Sequence, residues 1–140
     1  MKSSFDSVHI RLESAGETVL SLMMNRGGAL NRMGDGTGEA ERSRLCMGRS
    51  EEPLFEQWLE LMDENLLELA GRYTFPDPQG ELCVLSIELE SEAGNTGFEF
   101  TYGTDSQGPP EEITALVDAA LDLSDPWYEA QLNKKGKQKR

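Results

Sequence analysis

From residue 8 to residue 24 the chain alternates between apolar and polar side chains, with one interruption. Val8, Ile10 and Leu12 take turns with His9, Arg11 and Glu13, and Leu20, Leu22 and Met24 repeat the pattern beyond Ala15-Gly16. A period of two marks a strand with one buried face, and two such runs joined by a tight turn are a hairpin. Asn25 to Gly28 offers a second turn, and residues 29–33 a third strand. Gly34-Asp35-Gly36-Thr37-Gly38 breaks the pattern before a fourth strand over 42–48. Residues 39–47 would also tolerate a helix, but they have no apolar stripe to bury.

A helix follows. Ser50 can cap it, and Glu51 and Glu52 suit the positive end of its dipole. Phe55, Leu59, Met62, Leu66 and Leu69 recur at helical spacing with Trp58 beside them, and acids cover the remaining surface. The spacing predicts one long helix ending before Gly71. Pro76 and Pro78 make a loop, and residues 82–89 and 97–102 form a second hairpin with Phe98, Phe100 and Tyr102 on one face. Pro109-Pro110 opens a helix that turns Ile113, Leu116, Val117 and Ala120 inward, and Asp125-Pro126 restarts a short last helix carrying Trp127 and Tyr128. This order predicts an α+β fold: an antiparallel sheet of four N-terminal strands plus a later hairpin, with one long central helix and a C-terminal helical pair packed on one face. A chain of 140 residues fits a single domain, here 1–133, and residues 134–140 form a basic tail expected to be disordered because it has nothing apolar to bury.

Charge is distributed very unevenly around the net value of −13. Residues 50–131 hold twenty acids and one base, Arg72, whereas five arginines stand between residues 26 and 49. So acidic a body repels nucleic acid and anionic membrane and attracts basic surfaces, so direct nucleic-acid binding is not expected. Solubility alone, or salt adaptation, would also account for the acidity, although aspartate is scarce for the latter, with eight against eighteen glutamates. No stretch approaches the ~20 apolar residues of a membrane span. No apolar run follows Lys2, so no secretory signal is visible. The two cysteines, Cys46 and Cys83, lie far apart in apolar settings and read as reduced, buried residues. The expected location is cytoplasmic.

Motifs for chemistry are scarce. His9 is the single histidine, and it falls on the polar side of the first strand with no nucleophile near it in sequence. Asp35 to Cys46 has acids at alternate positions, but Ala40 and Cys46 stand where a calcium loop needs glycine and glutamate. Zinc would need Cys and His clusters, and Gly34 to Gly38 has neither a phosphate-loop lysine nor dinucleotide-loop spacing. Neither a metal nor a cofactor is therefore expected, and catalysis finds little support.

Two residue groups are candidates for binding. Arg26, Asn31, Arg32, Arg42 and Arg44 would form a site for an anionic ligand if the strands gathered their guanidinium forks on one face; pairing with the protein's own abundant carboxylates is the simpler and favoured explanation. Glu56, Glu60 and Glu64 on the central helix, with Trp127 and Tyr128 as aromatic anchors, would receive a basic protein. The leading functional expectation is a non-catalytic interaction module of the inhibitor, immunity or adaptor kind. A small-anion-binding module using the arginines is the alternative, and an enzyme with an unfamiliar site comes third.

Overall fold

The computed structural model describes residues 4–36 and 44–138. The first alternating run is strand β1 (Ser7–Ser14) and the second is β2 (Glu17–Asn25), paired antiparallel. Ala15 and Gly16 join them with φ of 53° and 82°. Two positive φ values match the right-handed strand twist of a two-residue hairpin. A bulge between Leu12 and Glu13 ends the regular register. Strand β3 (Ala29–Gly34) pairs with β2, and β4 (Leu45–Arg49) with β3. Residues 39–43, part of the segment that could be read as strand or helix, lie outside the described residues; the described part of it from Leu45 onward is strand.

The second hairpin, β6 (Leu82–Ser91) and β7 (Gly94–Gly103), is longer than its alternation predicts, because its turn closes tightly at Glu92-Ala93. β6 pairs with β1, giving a seven-stranded sheet in the order β4-β3-β2-β1-β6-β7-β5. The extra strand, β5 (Gly71–Thr74), runs parallel to β7, so the sheet is mixed and not antiparallel throughout as the element order predicts. All four β5 residues are exposed, so there is no burial alternation to read. Tertiary contacts hold it: Tyr73 stacks on Phe100 at 5.1 Å, and its hydroxyl donates to the Leu69 carbonyl.

Both predicted helical arrangements need correction. The central helix is short: α1 spans Leu54–Leu61, Met62 is extended, and Glu64–Leu69 forms a 3-10 turn. Asp63 explains the break, since its carboxylate accepts the Asn65 N–H and offers the backbone a turn in place of helix. Leu66 and Leu69 still pack against the core from the turn, which is why the apolar spacing looked continuous. The C-terminal pair is one helix, α2 (Glu111–Gln138), with Pro126 inside it. Its backbone includes residues 134–138 of the segment for which disorder is expected, and residues 139 and 140 lie outside the described residues.

Helices and sheet meet in one apolar cluster. Val8, Ile10, Leu20, Leu22, Leu85, Ile87, Phe98 and Phe100 face Phe55, Trp58, Leu59, Ile113, Leu116 and Ala120. A slip of one residue in any strand would turn its apolar set to water, so this packing specifies the register. Trp58 ties the helices together by donating from Nε1 to the Leu116 carbonyl at 2.9 Å, away from solvent. Cys46 and Cys83 are free thiols, buried on this same side of the sheet. None of the described helices is long and apolar enough to cross a membrane.

Leu59 is almost wholly buried between helix and sheet. Leu59→Ala should destabilise the protein by roughly 2–5 kcal/mol. Denaturant unfolding measures this, and an unchanged midpoint would contradict the packing described.

Candidate functional site

The candidate arginines are not gathered on one face. Period-two geometry puts Asn31 and Arg32 on opposite sides of β3: Asn31 lies between Met23 and Met47 on the open face, and Arg32 turns into the core beside Leu30. Arg32 is fully buried. Its Nε donates to the Gly34 carbonyl, and its Nη1 to the Leu121 carbonyl and the Ser124 hydroxyl. The same Nη1 lies 2.6 Å from the Asp125 carboxylate, and the guanidinium stacks 4.5 Å from the Tyr128 ring centre. Arg26 donates to the Phe5 carbonyl, pairs with Asp6 and stacks over Phe55. Arg44 donates to the Leu132 carbonyl, and Arg49 to the Gly27 carbonyl. Arg42 lies outside the described residues.

The aromatic candidates hold α2 to the sheet. Tyr128 is buried, donates its hydroxyl proton to the Arg44 carbonyl and accepts the Gly34 N–H. Trp127 donates to the Arg49 carbonyl at 2.9 Å and packs over Gly48, where a β-carbon would crowd its ring. Gly34 has φ of 83°, and a β-carbon there would collide with the Val19 carbonyl. These glycines let β3 and β4 approach their neighbours closely enough for both bonds. The burial of Arg32 had a sequence signal: it stands two residues after inward Leu30.

Of the acidic candidates, Glu60 and Glu64 are exposed, and Glu56 is partly covered, with Oε1 buried and unbonded among the described residues. Glu60 and Glu64 are sequence neighbours of Leu61, Asp63 and Asn65, which line a feature that periodicity alone did not show. Because α1 stops at Leu61, a groove of about 670 Å³ opens between the 3-10 turn and α2. Leu61, Leu66, Leu69, Ala115, Leu116 and Ala119 line it, and Asp63, Asn65 and Glu112 give it a polar rim. Leu61 is 62% exposed there.

On the open face of the sheet, His9 Nε2 lies 3.2 Å from Ser21 Oγ. Burial, and then the nearby Arg11 charge, lower its pKa below 6.5. A neutral imidazole against a hydroxyl resembles the start of a nucleophilic pair, but no third group orients the ring among the described residues. Both thiols sit across the sheet from it. No group of three or more metal-ligating side chains is found among the described residues. Compared with known proteins, the chain matches no family model and no curated sequence.

Removing Asp125 leaves the Arg32 charge buried without its counter-ion. Asp125→Ala should cost about 3 kcal/mol, the low end for broken buried pairs, because Asp125 keeps some contact with water. Arg32→Met in the same chain should recover part of the loss; unfolding curves that show simple additivity would refute the coupling. A second expectation concerns pH. Below 6.5 the unfolded chain takes up the His9 proton before the folded one does, so stability falls as pH drops from 6.5 to the lower folded value. His9→Gln should remove that part of the pH dependence, and NMR titration of the imidazole should give a midpoint under 6.5.

Proposed function

We propose that this protein is a non-catalytic interaction module that docks a basic partner along the groove between the 3-10 turn and α2. The observation that carries this reading is an exposed apolar floor inside an acidic frame. Leu61 stands at the mouth of the groove, and Asp63 and Glu112 form its rim. Exposed apolar surface with a polar border is one of the features that interaction sites share. An amphipathic helix fits the shape, with aliphatic anchors at i, i+4 and i+7 set in the groove and lysines or arginines facing the carboxylates. Rim charges would speed encounter, and the apolar floor would set the lifetime of the complex. Anion binding by the arginines has less support, because each described guanidinium in that set already has acceptors within the protein.

The test uses an amphipathic helical peptide with leucine anchors and lysines elsewhere, titrated calorimetrically against the full chain. Binding should weaken as salt rises, and Ala115→Lys, an exposed change in the groove wall, should weaken it by about tenfold or more. Equal binding by that variant, or by the same peptide with glutamate in place of lysine, would refute the reading.

A further inference from the structure

β4 closes one end of the sheet, so one side of its backbone has no strand beside it. An antiparallel ladder turns successive residues towards and away from the neighbouring strand. The Ser50 N–H donates to the Gly28 carbonyl, so Gly48 and Cys46 also direct their backbone groups at β3. The Met47 N–H and C=O and the Arg49 N–H therefore point at the free edge. The Arg49 carbonyl points the same way and takes the Trp127 indole N–H, which leaves it a second lone pair.

Side chains at this edge differ from those of the rest of the molecule. The open face of β2 from Val19 onward, and of β3 and β4, carries no acid. Met23 and Met47 flank Asn31 there, and Met33 lies opposite Leu45. Leu45 is 47% exposed and Met47 64%. Arg49 is exposed on the same face, and Arg44 stands at the other end of the strand. Although the chain holds 26 acids, neither arginine forms an ion pair among the described residues. Each donates to a backbone carbonyl, Arg44 to Leu132 and Arg49 to Gly27, which occupies a donor and leaves the charge uncompensated.

We propose that β4 receives an extended acidic peptide as an added strand, its backbone paired with Met47 and Arg49, its apolar side chains on Leu45 and Met47, and its carboxylates at Arg49 and Arg44. In strand addition the main-chain bonds supply affinity and the alternate side chains supply selection. Methionine side chains give an adaptable apolar bed, and the arginines choose the sign of the peptide. A second copy fits less well. Self-pairing about Met47 would set Arg49 of each copy beside Leu45 and next to Arg44 of the other, cation by cation. Five residues of edge are also short for the ~1,200–2,000 Å² of a stable protein pair. This edge is separate from the groove beside α2, and neither reading depends on the other.

Calorimetry on the full chain with acetyl-Thr-Glu-Thr-Val-Thr-Val-Glu-amide tests this. In antiparallel register its central valine faces Met47, its first glutamate faces Arg49 and its last reaches Arg44. The same peptide with lysine in place of glutamate should bind about tenfold or more weakly. Arg49→Gln should reduce that preference and Arg49→Glu should reverse it; melting temperatures equal to the parent's show that both fold, and the neutral variant decides if charge reversal disturbs the edge. N-methylation of the central valine removes the donor to the Met47 carbonyl and should abolish binding. N-methylation of the threonine after it, whose N–H points away from β4, should be tolerated. Ala115→Lys should change nothing, so this edge and the groove fail separately. Equal binding of the acidic and lysine peptides, tolerance of the methyl group on the central valine, or a dimer of the chain alone that the peptide splits, which would give the edge to a second copy, would overturn the proposal.

Discussion

A guanidinium with no access to water is the constraint around which the C-terminal half of this molecule is arranged. Arg32 sits in a strand that otherwise buries Leu30, and an isolated charge there would cost more than the fold could bear. Its surroundings supply a carboxylate from Asp125, carbonyls from Gly34 and Leu121, a hydroxyl from Ser124 and the face of Tyr128, all to Nε, Nη1 or the guanidinium plane, while Nη2 is buried with no hydrogen-bond partner among the described residues. Apart from Gly34, every one of these groups belongs to α2. The helix therefore has one seat on β3, and sliding it by a turn would strand the charge. A leucine at position 32 would tolerate many seats, so the buried ion pair contributes specificity of docking more than net stability.

The same arrangement explains how a helix continues through proline. Pro126 lacks the N–H that would reach the Asp122 carbonyl, and its ring strains the preceding turn. One residue before that carbonyl, Arg32 and Ser124 both donate to the Leu121 carbonyl. Just beyond the proline, Trp127 and Tyr128 bond to backbone carbonyls at Arg49 and Arg44. Those carbonyls bracket β4, so the side chains that anchor α2 also fasten both ends of the edge strand.

How much of this could be read from the chain depends on whether a signal was local. β1, β2, β6 and β7 each bury one face, so alternation located them, along with the inward set Val8, Ile10, Leu20 and Leu22. β5 has no buried face and is held by Tyr73 on Phe100, a contact between residues far apart in sequence. The break in the central helix had a local cause in Asp63, but the apolar spacing runs through it, because a 3-10 turn and a helix both return leucines to the core. Alternation could have turned Arg32 inward, yet its acceptors lie some ninety positions later and could not be paired with it from sequence. Grooves are harder still: the apolar one exists only because α1 stops early, and its walls come from two segments with the β5–β7 region between them.

Acidity acts on the fold and on binding in opposite directions. Twenty acids between residues 50 and 131 repel one another in the folded state, against a single base in that stretch, Arg72, which pairs with Glu99. Screening this repulsion with salt favours the compact state. Attraction between the carboxylate frame and a cationic ligand is weakened by the same screening. A residue whose charge serves only solubility should show the first effect without the second. The uneven charge of the sequence thus acquires separable roles once each carboxylate is located: under the proposed reading, those that border the groove beside α2 select a partner, and those on open helix surface only raise the general negative field.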